Sequence, residues 1–244
     1  MSRRSKVNVA LVVTLLVLAL TMAMPAVAAD GKLTIVHVND VHGHIEPFTR
    51  SGAKEEVGAL AKMAVYVEGL RKENANILLL SAGDMIHGTN VVNLFGGLPM
   101  VEIMNHMGFD AMALGNHEFN YGQEQLIKLA QAAKFPFLSA NVVRDDGAVF
   151  IDDCAIFDIG GVKVGVFGLS PIETPILTHP KDVIGLKFVD PAEISAKMVD
   201  TLAGQADIIV CLSHLGYDAD KDLAAAVPGI DIIVGGHSHT MLAQ

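Results

Sequence analysis

Cysteine and repetition are scarce in this 244-residue sequence, and basic residues are outnumbered by acidic ones. Its two cysteines, Cys154 and Cys211, are too few for a disulfide-built scaffold. Cys211 lies inside the apolar run Ile208-Ile209-Val210-Cys211-Leu212, where a buried, unpaired small hydrophobe is the expected role. With 17 basic residues against 27 acidic ones the net charge is −10, and such a surface repels polyanions. A nucleic-acid polymer is therefore excluded as a partner, whereas a small phosphorylated substrate can still bind where cations invert the local field. No repeat and no low-complexity segment is present, so solenoids and disordered tails are not expected either.

What the chain has in quantity is apolar residues, 51% of the total, enough to fill the core of one large domain or two small ones. The first apolar run is not core. Arg3, Arg4 and Lys6 lead into Val7–Met24, Pro25 breaks the run, and Ala26-Val27-Ala28-Ala29 supplies small residues for cleavage. These three parts make residues 1–29 a secretory signal peptide rather than an uncleaved membrane anchor, and residues 30–244 the mature, exported domain. No cysteine stands near the cleavage site, so a lipid anchor is unsupported. Losing the leader removes three basic residues and no acidic one, which makes the mature surface more acidic still.

Past the leader, apolar runs alternate with segments of helical periodicity. Strands are expected at Leu33–Val38, Ile77–Leu80, Ala111–Leu114, Phe137–Ala140, Ile208–Leu212 and Ile230–Val234, with a hairpin of Val149–Ile159 and Val162–Leu169 around Gly160-Gly161. Helices are expected over Glu55–Glu73, Val91–Met107 in two pieces, Gln123–Lys134, Pro191–Leu202 and Asp218–Val227. Met100, Met104 and Met107 read as core filling, and His37 as a core histidine. Pro171 to Phe188 reads as a long loop. The alternation argues an α/β class whose sites form at the carboxyl ends of the strands.

Five strands end in polar turns, and those turns hold Asp40 and His42, Asp84, Asn116, His214, and His237 with His239. Singly, each is ordinary loop chemistry. Together they are rich in imidazole and carboxylate and free of thiolate, a set that suits two zinc, manganese, iron, cobalt or magnesium ions sharing one carboxylate. Such a pair would attract a phosphate and acidify a water.

Asn39-Asp40-x-His42-Gly43, Gly83-Asp84, Gly115-Asn116-His117-Glu118, Ser213-His214-Leu215-Gly216 and Gly235-Gly236-His237-Ser238-His239 resemble the five blocks of the calcineurin-like metallophosphoesterases. Gly88-Thr89, Phe119, Tyr121-Gly122 and Leu138-Ser139-Ala140-Asn141 are closer to the exported 5′-nucleotidase and 2′,3′-cyclic-nucleotide phosphodiesterase branch. The resemblance covers nearly all of residues 33–240. It implies a layered α/β/β/α sandwich of two mixed sheets, one metal on Asp40, His42, Asp84 and His239, and a second on Asp84, Asn116, His214 and His237. It also implies that His117 and Asn120 serve catalysis, His117 facing the phosphoryl group, in an in-line attack by metal-bound hydroxide on a nucleotide. Some members carry Asp where this chain has Asn120, and Asn there resembles the cyclic-nucleotide branch. Glu118 is expected to support its turn. The family continues into further strands and a C-terminal domain whose aromatics sandwich the base. Because this chain stops at Gln244, its sheets are expected to lack their last strands and to have nothing that grips a base.

Three other readings are open at this point. The chain could be a non-catalytic metal-binding fragment, a sulfur-ester hydrolase on the same scaffold, or an amidohydrolase-type barrel in which His44 binds metal.

Overall fold

In the computed structural model, which describes residues 32–241 apart from 50, 51, 53 and 58, the run Ile77-Leu78-Leu79-Leu80-Ser81 is a strand buried along its whole length. Side chains alternate across an extended chain, so Leu78 and Leu80 enter one apolar cluster and Leu79 another. A strand buried on both faces must sit in a middle layer. Its neighbours are Thr34–Val38 on one side and Ala111–Ala113, followed by Phe137–Leu138, on the other. Every pairing in this sheet is parallel.

The second sheet runs in the order Ile232–Gly235, Ile208–Ser213, Val162–Leu169, Cys154–Ile159. Its first three strands are parallel, and the last two form an antiparallel hairpin. Gly160 and Gly161 both have positive φ (63° and 87°), which a tight hairpin turn between right-twisted strands requires. The expectation of two mixed sheets is corrected accordingly. Only the second is mixed, because helical crossovers join the strands of the first and such connections yield parallel neighbours.

The two sheets face each other through Leu78, Leu80, Ala111, Ala113 and Leu138 on one side and Val164, Val166, Val210, Leu212 and Val234 on the other. Helices Leu60–Glu73, Leu98–Met107 and Gln123–Ala132 cover the outer face of the first sheet, where Met100, Met104 and Met107 are buried core. Helices Pro191–Leu202 and Tyr217–Ala226 cover the outer face of the second. The architecture is the expected α/β/β/α sandwich, and its two separate, open sheets rule out the barrel.

Four local expectations differ from what is found. The Glu55–Glu73 helix begins only at Leu60, since Glu56–Val57 pairs with Phe48–Thr49. The hairpin's first strand starts at Cys154 rather than Val149. The 171–188 segment is not a bare loop: it contains a helical turn at Thr174–Leu177, a 3-10 turn at Pro180–Val183, and a strand, Leu186–Phe188, paired with Val142–Arg144. His37 is exposed rather than core, because Thr34–Val38 is an edge strand.

Cys154 and Cys211 stand opposite the same residue, Phe167, on the two strands that flank it. Two strand spacings separate them, roughly 9–10 Å, beyond the Cα separation a disulfide can bridge. Both are free thiols. No helix among the described residues is long and apolar enough to cross a membrane. Residues 1–29, expected from sequence to be a signal peptide, lie outside the described residues.

Candidate metal centre

The polar turns zip together through their backbones before any side chain is considered. Asp40 N donates to Gly83 O, His42 N to Asp84 O and Gly43 N to Met85 O, each at 3.0 Å. His237 N donates to Asp40 Oδ2 at 2.9 Å, tying the last turn to the first across 197 positions of sequence. Gly115 makes the middle turn possible, because a Cβ there would collide with Asp84 Oδ1 and His214 Nε2. Six of the seven candidate ligands, all but Asn116, are thus drawn into overlapping groups from turns scattered along the domain, and Asn116 precedes His117, whose N–H is bonded to Asp84.

Among the described residues, five non-glycine residues have positive φ: Asp40 (52°), His42 (47°), Asp84 (55°), His237 (73°) and His239 (52°). All five are candidate ligands. The left-handed region is unfavourable for residues with a Cβ, and side chains held there are characteristic of sites where aim matters more than backbone comfort.

Side-chain donors fall into overlapping groups whose ligand atoms lie within 4.8 Å of one another: Asp40, His42 and His239; Asp84, His214 and His237; and His42, Asp84 and His117. In the first group His42 Nε2 and His239 Nε2 are 3.2 Å apart, and His239 Nε2 is 3.4 Å from Asp40 Oδ1. In the second, His214 Nε2 lies 3.0 Å from Asp84 Oδ2. Asp84 and His42 each belong to two of these groups, which links the three into one cluster. The third group also brings His117 within ligand distance.

Whether these residues fit an ion can be tested on atoms left without partners. Among the described residues, buried side-chain oxygens and nitrogens lacking a hydrogen bond are Asp40 Oδ1, Asn116 Oδ1, His214 Nε2 and Ser195 Oγ. Native interiors rarely leave such atoms unmatched, and three of these four belong to candidate ligands. His214 Nε2 is near Asp84 Oδ2 but off the geometry of a hydrogen bond. Its other nitrogen, Nδ1, donates to Ala82 O at 2.5 Å, which leaves the Nε2 lone pair for a cation. The donor set therefore fits divalent ions.

The electrostatics agree in direction. Burial alone would raise the Asp84 pKa, yet contact with His214, its charge, and His117 hold it down at about 2. Burial opposes a charge on His214, but its contact with Asp84 and the fields of Asp84, Asp40 and Glu118 push it up to about 9. A buried imidazole that retains a proton this strongly marks a place where the fold calls for positive charge. His42 and His237 are lowered, by burial first.

Glu118 is fully buried and accepts four backbone N–H groups: Asp84 and Gly115 on Oε2, Met85 and Ile86 on Oε1. It clamps the Asp84 turn to the Asn116 turn. Burial and then repulsion from Asp84 raise its pKa to about 7. His117 N donates to Asp84 Oδ1, and its ring is held by Asn120, whose Nδ2 lies 2.8 Å from His117 Nδ1. Thr178, from the segment read as a loop, donates to Asn120 Oδ1 at 2.8 Å. Nothing local in the sequence marks Thr178, because the contact spans 58 positions. His44 belongs to none of the three groups and stacks on Phe48, ring centroids 3.8 Å apart, which removes the barrel reading's ligand.

With this geometry in place, comparisons with known proteins can be weighed. The calcineurin-like phosphoesterase family model matches residues 33–241. The mouse 5′-nucleotidase is 39% identical over 93% of this chain and 42% of its own length. A 5′-nucleotidase precursor from Thermus thermophilus superposes with a TM-score of 0.80 at 38% identity, over 87% of this chain and 43% of that one. The NAD nucleotidase of Haemophilus influenzae gives a TM-score of 0.77 at 35% identity, over 87% and 39%. The chain spans about two fifths of the length of the curated relatives it matches.

Proposed function

This chain belongs to the calcineurin-like phosphoesterase family, and from that premise we propose that it hydrolyses phosphate esters of nucleotides with two divalent ions. Asp40, His42, Asp84 and His239 would hold one ion, and Asp84, Asn116, His214 and His237 the other, with Asp84 shared. When bound, the ions neutralise phosphoryl charge and make a water nucleophilic at neutral pH. The observation that carries this reading is that three buried ligand atoms, Asp40 Oδ1, Asn116 Oδ1 and His214 Nε2, have no hydrogen-bond partner, the first and last lying 3.8 Å apart.

The chain's own residues supply the rest. Asn120 Nδ2 donates to His117 Nδ1, so the His117 ring keeps its proton on Nε2. That N–H stabilises charge growing on the phosphoryl or leaving oxygen. Glu118 fixes the spacing of the Asp84 and Asn116 turns. The substrate is a small nucleotide, released as nucleoside and inorganic phosphate or opened from a cyclic diester, and the protein acts outside the cytoplasm after loss of residues 1–29.

The test is metal analysis of the purified protein together with hydrolysis of a chromogenic phosphate ester and of 5′-, 3′- and 2′,3′-cyclic nucleotides. Two ions per chain with hydrolysis of at least one nucleotide is the expected result. Stoichiometric metal without hydrolysis would instead make the chain a metal-binding module.

A further inference from the structure

One imidazole near the centre has no task in the account so far. His87 follows the Asp84 turn by three residues and is half-buried. Its ring lies parallel to that of His117, with an interplanar angle of 1° and centroids 5.3 Å apart. Tyr121 leans on it at 5.4 Å, and the Tyr121 hydroxyl donates to Asn93 Oδ1 at 2.7 Å and lies 3.2 Å from Ile86 O, which fixes the segment on either side of His87. Among the described residues no protein group bonds its Nε2.

The two rings share a single partner. Asn120 Nδ2 lies 2.8 Å from His117 Nδ1 and 3.2 Å from His87 Nδ1, while Asn120 Oδ1 accepts from the Thr178 hydroxyl. A carboxamide nitrogen carries two hydrogens, so it can donate one to each ring. Both Nδ1 atoms then act as acceptors, and both rings carry their proton on Nε2. A carboxylate at position 120 could not do this. It only accepts, and would draw both protons to Nδ1.

We propose that His87 is a second imidazole donor to the tetrahedral oxyanion of the substrate, set in the same tautomer as His117 by the one carboxamide of Asn120. The inference rests on the phosphoesterase reading above and extends it. Two parallel rings 5.3 Å apart, both anchored through Nδ1 on Asn120 and both with an Nε2 that no described protein group bonds, offer a pair of N–H donors that one phosphoryl group can bridge. Hydrogen bonds from preset donors act where charge accumulates and need no reorganisation.

Two measurements on the full chain test this. The first is calorimetric binding of inorganic phosphate to the metal-loaded protein, wild type against His87→Phe and His87→Gln. Phe keeps the stacked ring but has no N–H, so phosphate affinity should fall by about tenfold, the size of one lost hydrogen bond. Gln restores a donor and should recover part of the loss. Affinity within about twofold of wild type in His87→Phe would overturn the proposal. The second is 15N NMR of the imidazoles in metal-free protein. His87 and His117 should both be protonated at Nε2, and Asn120→Asp should move both protons to Nδ1. A wild-type His87 protonated at Nδ1 would equally sink it. Neither readout needs turnover: if the chain hydrolyses no ester the functional reading fails, while the binding and tautomer results still decide the role of His87.

Discussion

The two halves of the centre differ in depth. Asp84, Asn116 and His214 are buried with His237 half-buried beside them, and the turns are locked from behind by Glu118 and by the Ala82 carbonyl. Around Asp40, His42 and His239 exposure climbs from one side chain to the next, 4%, 24% and 58%, which leaves His239 at the rim. On the proposed assignment the same residue types would make two unlike sites. Deep ligands are preorganised and shielded, so an ion there is held by geometry already in place. A rim ligand must be ordered at the moment of binding, which costs side-chain entropy and weakens retention. The deep half should hold its ion through purification, and the rim half should exchange.

The harshest way to break this contrast is Asp84→Ala, which removes the shared carboxylate. Both ions should be lost and hydrolysis should fall to background, as metal analysis and ester hydrolysis would record. His117→Ala should instead keep both ions and lower kcat by roughly 10²- to 10³-fold, the range for one lost oxyanion donor. Equal metal loss in the two variants would place His117 among the ligands, as its group with His42 and Asp84 allows.

Glu118→Gln attacks the deep half from behind. An amide cannot accept all four backbone N–H groups, and breaking a buried charged contact of this kind costs on the order of 3 kcal/mol, measurable by urea unfolding. His239→Ala should weaken only the rim ion, by more than roughly tenfold, and leave the deep one in place. A drop in occupancy of both would show that the halves are not independent.

The mildest test is pH. His214 is raised to about 9 without an ion, so loading below that pH must expel its proton. Affinity of the deep site should therefore rise with pH from 6.5 toward 9, by about tenfold per unit for one proton released, and level off above. Calorimetry in buffers of differing ionisation heat counts that proton. The stability of the ion-free protein runs the other way. A raised histidine stabilises fully below its unfolded value of 6.5 and loses that contribution as pH climbs through 9. Asp84, lowered to about 2, stabilises above 3.8 and ceases to as pH falls through 2.

The ligand turns were legible in the sequence because each is a short polar segment, punctuated by glycine, directly after an apolar run. Strand order was not. Periodicity shows that Leu78 and Leu80 share a face, but which sheet they meet depends on long-range register. The segment 171–188 was misread because three prolines look like loop chemistry, whereas Leu186–Phe188 gains its strand from pairing with Val142–Arg144, far upstream. The sequence points to Glu118 as turn support, and the fold extends that support to a second turn, since its four backbone partners come from both. Thr178, Asn120 and His87 form a network across both sequence distance and element type, which no local pattern encodes.

The left-handed torsions of Asp40, His42, Asp84, His237 and His239 carry a further consequence. A glycine at any of these places would relax the main chain while abolishing chelation, so folding and ion capture make opposite demands on the same five positions. Alanine scanning keeps the torsional penalty and blurs the two. Paired alanine and glycine exchanges would separate them, and wherever the glycine version melts higher than its alanine twin, the difference is what the backbone gives up to aim a ligand.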